Sequence, residues 1–256
     1  MKNLFDLTGK VALLTGATSG MGKAIAEALG YHGATLIIAS NDELACEQVK
    51  EEFSLKGIAT WAKVCDVSDS AQVKTLVDDT LQITGKIDIL VSCVGIGLAG
   101  SLENISTQDF LQLMQVNLLQ ALELTQLVIP SMRENGGGSI IYLSSIASVR
   151  GNKSLGLYGI TKAGLVQLAR NVAVEHGPLN IRANAISPGM IDTPFAKELL
   201  SNKEFLEKRL TQTPLRRVGL PDEIAGVAVM LASKAGGFIT GQNIIVDGGT
   251  TISDGN

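Results

Sequence analysis

The chain has 256 residues, 45% of them hydrophobic, and carries a formal net charge of −4 with a pI near 5.3. That content suffices for one substantial core, so a single domain over residues 1–256 is expected. The charge balance excludes a nucleic-acid phosphate footprint, which would need lysines and arginines clustered on one face; the longest basic grouping, Arg216-Arg217, reads as loop solvation or a local ion pair.

Along the chain, Asp6 falls where a secretory leader would need an apolar core, and no run approaches 18 uninterrupted apolar residues; a soluble, cytoplasmic protein without membrane contact is expected. Apolar runs of strand length then alternate with longer helical periods, the pattern of a doubly wound parallel α/β sheet with helices on both faces. Lys10 to Thr15 reads as a buried strand, followed by a glycine-rich turn and a helix from Lys23 to His32. A second strand spans Thr35 to Ala39, a helix Glu43 to Lys56, and a third strand Ala59 to Val64. Ser68 or Asp69 caps a helix that runs to about Thr84, and Ile87 to Val91 forms a fourth strand. One long helix is expected from near Ser106 to Arg133, ended by Gly136-Gly137-Gly138, before a fifth strand over Ser139 to Leu143. The next helix carries Tyr158 and Lys162 to about His176, and a sixth strand covers Asn180 to Ile186. The stretch 190–217 breaks the alternation and reads as a lid over the carboxyl edge of the sheet. Pro221 to Ser233 is a helix with proline at its start, and Gln242 to Val246 is the seventh strand.

The turn Thr15-Gly16-Ala17-Thr18-Ser19-Gly20-Met21-Gly22 lies between a strand and a helix, the context of a pyrophosphate-binding loop. One glycine permits the tight turn, another lets backbone amides approach the phosphates, and a third lets helix and strand pack closely. The second strand ends at Ala39-Ser40-Asn41-Asp42, with no arginine to meet a 2′-phosphate and no acid at Ser40 to hold both ribose hydroxyls. NAD(H) or NADP(H) is the expected cofactor, and Asp42 and Glu43 tilt the reading towards NAD(H), although both also suit the first turn of a helix.

Tyr158 and Lys162 stand four residues apart on a helix, which sets a phenol beside an ammonium. A neighbouring positive charge favours the phenolate and moves a poor acid towards the working range. Ser145 ends the fifth strand and Asn117 lies within the long helix.

In the order and spacing of these motifs the chain resembles the short-chain dehydrogenase/reductase family over essentially its whole length. The resemblance implies a seven-stranded Rossmann fold and hydride transfer between a nicotinamide cofactor and a secondary alcohol or ketone. It implies that Tyr158 exchanges the proton with the substrate oxygen, that Ser145 holds that oxygen, and that Lys162 lowers the phenol's pKa and binds the nicotinamide ribose. Asn117 is implied as a relay member, in a locally distorted helix whose backbone carbonyl and a water connect Lys162 to solvent. The cofactor contacts it implies are Gly16, Thr18, Ser19, Gly20 and Met21 in the turn, Ser40 and Asn41 after the second strand, and Asp66 and Val67 after the third. Cys93 and Gly95 follow after the fourth strand, with Tyr158 and Lys162 themselves, then Pro188, Gly189, Ile191 and Thr193 after the sixth. One segment departs from the family's pattern: Ser92-Cys93-Val94-Gly95 stands where Asn-Asn-Ala-Gly is usual, which puts local rigidity in doubt more than chemistry, and Ser92 can still hydrogen-bond.

Cys46, Cys65 and Cys93 form no Cys-x-x-Cys pair, so neither a disulfide framework nor a metal site is expected, and Cys93 reads as a small buried residue rather than a nucleophile. A serine hydrolase would need a Gly-x-Ser-x-Gly elbow, which is missing, and His32 and His176 sit near helix ends. A non-catalytic dinucleotide-binding regulator would show erosion at Ser145, Tyr158 or Lys162, and none is eroded. The walls of the substrate pocket are expected in Ile96 to Leu102, Ile146 to Leu157 and the lid, mixing Ile146, Val149, Leu155, Leu157, Met190 and Phe195 with Arg150, Asn152 and Lys153. A free small ketone, alcohol or polyol is favoured over a 3-oxoacyl group on an acyl carrier protein, which would call for a basic docking face. Leu118, Leu119, Leu122, Leu124 and Leu127 supply more apolar surface than one sheet face needs, which suggests a subunit interface, and the family resemblance implies a homotetramer built through these helices.

Overall fold

The computed structural model describes residues 3–153 and 155–254; Met1 and Lys2, and Ser154 within the expected pocket wall, lie outside them. The strands are β1 (Val11–Thr15), β2 (Thr35–Ser40), β3 (Thr60–Val64), β4 (Ile89–Ser92), β5 (Gly138–Leu143), β6 (Ile181–Pro188) and β7 (Asn243–Val246). All pair in parallel, in the order β3-β2-β1-β4-β5-β6-β7. The order reverses between β1 and β4, and the crevice at the carboxyl ends of those strands is where an open α/β sheet receives a ligand. This is the Rossmann-type sheet expected from the alternating pattern.

The helices are α1 (Gly20–Tyr31), α2 (Glu43–Leu55), α3 (Ser70–Thr84), α4 (Thr107–Met114), α5 (Gln120–Glu134), α6 (Gly156–His176), α7 (Lys197–Ser201), α8 (Lys203–Thr211) and α9 (Pro221–Ala232). Successive strand residues point to opposite faces, so neighbours such as Leu13 and Leu14 enter different cores. Leu14, Leu36 and Ile38 pack with Ile25 and Leu29 of α1 and Ile224 of α9. Leu13, Ile37 and Leu90 pack with Leu124 and Val128 of α5 and Leu165 and Val166 of α6.

The long helix expected from near Ser106 to Arg133 is α4 and α5 joined by a π-helical turn at Gln115–Leu119, which falls where the resemblance implied a local distortion around Asn117 but where the apolar pattern gave no break. Ser106 starts α4 with a capping box, its hydroxyl accepting from Asp109 N–H at 3.0 Å. Apolar period reports which face is buried and is blind to a change in hydrogen-bond register, which is why the sequence pattern ran through the interruption. Asp69 rather than Ser68 caps α3, accepting from Ala71 and Gln72. Of the leucines read as surplus, Leu124 is fully buried and Leu118 and Leu127 pack against the core, while Leu119 remains exposed.

Candidate active site

The glycine turn is shaped by contacts that exclude side chains. A Cβ on Gly22 would lie 2.0 Å from the Gly16 carbonyl oxygen, and Gly16 and Gly20 have φ of +67° and +51°. Ser19 precedes α1 without a side-chain cap, so the helix presents its first amides to the crevice instead of spending them on its own chain. Gly20 in turn faces Thr193, whose Cβ would be 3.3 Å from an added methyl, which brings the loop after β6 against the turn.

The crevice above the turn has a volume of about 480 Å³. It brings together Gly16, Thr18, Ser19, Gly20, Met21, Ser40, Asn41, Asp66, Val67, Cys93, Gly95, Tyr158, Lys162 and Thr193. Pro188, Gly189 and Ile191 line a second cavity of about 130 Å³ on the other side of Tyr158, together with Ser145, Arg150 and Leu155. Met21, Ser144, Tyr158, Thr193 and Phe195 line both spaces, so the phenol stands where the two meet.

Local packing fixes the catalytic candidates. A Cβ on Gly159 would come 2.8 Å from the Ala147 carbonyl oxygen, so the first turn of α6 rests directly on the loop after β5 and holds Tyr158 beside Ser145. The Ser145 hydroxyl lies near enough to the phenol to favour its ionised form, and its oxygen accepts from Ala147 N–H at 3.1 Å. Lys162 is buried; its Nζ donates to the Leu143 carbonyl at 2.9 Å and lies 5.5 Å from the Tyr158 ring centroid. Gly95 makes room for it, since a Cβ there would meet Nζ at 2.8 Å.

Burial brings the Lys162 ammonium down to about 8, with the Cys93 thiol pulling the other way. Burial also pushes the Tyr158 phenol up to about 12, against the pull of the Ser145 hydroxyl. Lys162 was expected to lower the phenol; in this arrangement its ammonium is engaged by Leu143, and the direction is set by desolvation of the phenolate. Burial likewise raises the Cys93 thiol to about 12, which leaves no thiolate for nucleophilic work at neutral pH.

Asn117 is fully buried in the π turn, and its side-chain amide is spent on structure. Its Oδ1 accepts from Ile96 N–H at 2.8 Å, and its Nδ2 donates to the Ile96 carbonyl at 2.9 Å and to Thr161 Oγ1 at 3.0 Å. Thr161 donates to the Tyr158 carbonyl at 2.8 Å, so one chain of bonds ties the loop after β4 to the catalytic turn of α6. Ser92 is anchored too: Gln120 Nε2 of α5 donates to its hydroxyl at 3.0 Å, and Cys93 N–H donates to the Thr15 carbonyl at 3.2 Å. The segment that departs from Asn-Asn-Ala-Gly is therefore held by other bonds. Sequence reading missed Thr161, Gln120 and the Leu143 carbonyl; the last is a backbone group and carries no side-chain signal.

Over the second cavity stands the segment 190–217, with a 3₁₀ turn at Pro194–Ala196 followed by α7 and α8. Phe195 reaches across to the loop after β4, its Cζ 3.3 Å from where a Gly97 Cβ would be. Arg217 of the expected basic pair donates to Glu223 at 2.7 Å, the local ion pair foreseen for it. Among the described residues, no group of three metal-ligating side chains comes together and no helix is long and apolar enough to cross a membrane.

A family model described as enoyl-(acyl carrier protein) reductase matches residues 16–251. A tropinone reductase homologue of Arabidopsis thaliana is 38% identical over 253 residues, which cover 98% of this chain and 94% of the relative. The chain belongs to the short-chain dehydrogenase/reductase family. It is an oxidoreductase by that membership. Among solved structures, a 7α-hydroxysteroid dehydrogenase complexed with NADH and 7-oxo glycochenodeoxycholic acid is 35% identical, with a TM-score of 0.94 over 97% of this chain and 98% of that one. A gluconate 5-dehydrogenase from Burkholderia cenocepacia in complex with NADP and tartrate is 32% identical, with a TM-score of 0.94 over 98% of each chain. These relatives bind NADH or NADP, and a nicotinamide cofactor fits the crevice described here in size, in its glycine cradle and in its free helix amides.

Proposed function

We propose that this protein interconverts a small secondary alcohol and its ketone, with Tyr158 as the general acid/base. The observation that carries the reading is the position of Tyr158 at the junction of the crevice and the second cavity, where Ser145 lines the same cavity wall. When bound in the crevice, the nicotinamide cofactor supplies or accepts the hydride. The turn from Gly16 to Met21 would hold its pyrophosphate, Ser40, Asn41, Asp66 and Val67 its adenosine, and Cys93, Gly95 and Thr193 line the crevice beside Tyr158 and Lys162.

Ser145 orients the substrate oxygen and Tyr158, protonated at neutral pH, donates to it in the reductive direction. Lys162 stands in line behind the phenol, where its charge opposes the cost of the developing phenolate, and it is the residue to bind the nicotinamide ribose. Asn117 keeps this arrangement in register through Ile96 and Thr161, and the π turn beneath it supports a relay through its backbone carbonyl. The loop contacts of Pro188, Gly189 and Ile191 bear on the substrate side as well as on the cofactor. The segment 190–217 acts as the lid. A cavity of about 130 Å³ favours a small free substrate over an acyl chain on a carrier protein.

Replacing Tyr158 with Phe is the direct test. Turnover on the best substrate of an alcohol and ketone panel, followed at the nicotinamide absorbance, is expected to fall by about 10²–10⁴. Full activity in that variant would sink the acid/base assignment. NAD(H) is the favoured cofactor because Lys162 is the one lysine or arginine among the described residues lining the crevice, which leaves a 2′-phosphate without a cationic partner. Asp42 contributes less than its position suggested, since its carboxylate caps α2 by accepting from Ala45 N–H at 2.9 Å. A higher kcat/KM with NADPH than with NADH would reverse this preference. A homotetramer in the cytoplasm is the assembly favoured by the apolar side chains left exposed on the outer helices, among them Phe110, Leu111, Leu119 and Ile160. A monomer mass in static light scattering would exclude it.

A further inference from the structure

The second cavity holds two cations that no protein group neutralises at contact distance. Arg150 follows the 3₁₀ turn after β5, and Arg209 lies on α8 of the lid; both line the cavity that contains Ser145 and Tyr158. Each is half-buried. Among the described residues, neither guanidinium donates a hydrogen bond to the protein or has a carboxylate within ion-pair distance. Two other arginines are provided for: Arg182 donates to the Gly236 carbonyl at 2.8 Å, and Arg217 is paired with Glu223.

The two guanidiniums are close enough for the charge of Arg150 to work against that of Arg209, on top of the burial that disfavours both. Asp247 attracts both, but its own oxygens are taken at contact distance by backbone amides, Gly249 N–H at 2.9 Å and Thr251 N–H at 2.7 Å. Two positive charges against one negative leave one uncompensated in a confined, partly dry space. Such an arrangement is costly unless an anion completes it. The guanidinium fork matches a carboxylate in two parallel bonds, and one residual charge suits a monoanion better than a phosphate dianion. Among the described residues neither guanidinium has an acceptor at contact distance, which argues against a structural latch between lid and loop, and the pyrophosphate site lies in the other cavity, which neither arginine lines.

We propose that Arg150 and Arg209 are the substrate's carboxylate-recognising pair, so that the protein acts on a small hydroxy acid and its oxo acid. The inference rests on the function proposed above, because it takes the carbon at Tyr158 as the reacting one. It also gives the lid a reason to close: the bound carboxylate joins α8 to the catalytic loop.

Binding is measured by calorimetry on the enzyme saturated with NAD⁺, whose complex with an oxo compound cannot turn over, using oxo compounds in matched pairs. The pairs are 3-oxobutanoate and its methyl ester, 4-oxopentanoate and its methyl ester, 5-ketogluconate and L-sorbose, and dihydroxyacetone phosphate and dihydroxyacetone. At least one oxo acid is expected to bind at least about tenfold more tightly than its uncharged partner. R150Q and R209Q are each expected to remove most of that difference, while NADH affinity, read in the other cavity, stays within about twofold and shows that the variant is folded. Should R209Q fail to bind NADH, R209K keeps the charge and loses the fork, and is expected to give an intermediate discrimination. The proposal is overturned if no oxo acid is preferred in any pair, if only the phosphate ester is, or if the folded variants discriminate as the wild type does. An oxo acid that binds through both arginines yet is never reduced would leave this site standing and count against the proposed function instead.

Discussion

The crevice over the glycine turn and the cavity under the lid share the Tyr158 phenol and are built by opposite means. The crevice is made largely of backbone: glycines at Gly16, Gly20 and Gly22 that no side chain could replace, and helix amides left open by Ser19. Its form is dictated by a ligand portion common to many reactions, so it admits few alternatives. The lid cavity is made mainly of side chains from the loop after β5, the segment after β6 through α7, and α8, with Met21 and Tyr158 shared with the crevice. Nothing in the sheet constrains those side chains, and substrate choice can change there without touching the hydride chemistry.

The contrast is broken or sharpened first at the glycine turn. Gly22→Ala places a methyl 2.0 Å from a backbone oxygen that has no freedom to retreat, so turn and helix must separate. Overpacking of this kind costs about 1–3 kcal/mol, and the crevice rather than the lid cavity should suffer. NADH affinity is expected to fall at least tenfold in fluorescence titration, a loss of about 1.4 kcal/mol. If Gly22→Ala binds NADH as the wild type does, the crevice is not the backbone-built site described here.

How far each region was legible follows the same division. The strand pattern, the glycine turn and the Tyr158 to Lys162 spacing are periodic or contiguous in sequence, and of the seventeen residues expected to contact the cofactor fourteen line the crevice, while Pro188, Gly189 and Ile191 line the lid cavity. The π turn at Asn117 was not legible in the apolar period, because replacing one hydrogen-bond register by another leaves the buried face almost unchanged. Arg150 was named as a pocket wall, but Arg209 was not: the two meet only because α8 folds back over the sheet edge, a long-range event with no local signal. The rise of the Tyr158 phenol was also missed, since four-residue spacing reveals that an ammonium is near and says nothing of how much water has been removed.

The junction itself offers a second effect, in stability rather than cofactor binding, through Lys162. Its ammonium is brought down to about 8 by burial, from an unfolded value near about 10.4. Between those values the unfolded chain holds the proton and the folded chain does not, so this group's contribution makes stability rise with pH across that window. Below pH 8 both states are protonated and the folded protein carries the full cost of the buried charge. Urea unfolding from pH 8 to about 10, compared between wild type and Lys162→Met, isolates the group from the other titrating side chains. The wild type should gain up to about 3 kcal/mol relative to the variant across the window. Parallel curves would mean that Lys162 is better solvated than its burial indicates, and that the phenol has a more accessible cation beside it.

The smallest expected effect lies at the β1–β4 seam, where the departure from Asn-Asn-Ala-Gly falls. Thr15 pairs across the seam with Ser92, and its Oγ1 is buried with no hydrogen-bond partner in the described structure. Ser92 has turned its hydroxyl to Gln120 and does not reach back to β1, so this segment is rigid on its helix side and unsatisfied on its strand side. An orphaned buried hydroxyl costs about 1–3 kcal/mol, and a valine of nearly the same shape removes it without adding volume. Thr15→Val is therefore expected to raise unfolding stability by about 1 kcal/mol with NADH affinity unchanged, since Thr15 does not line the crevice. A loss of stability in urea melts would show that the hydroxyl is satisfied after all. A loss of NADH binding alone would make the seam part of the crevice, and extend the backbone-built region one residue into side-chain chemistry.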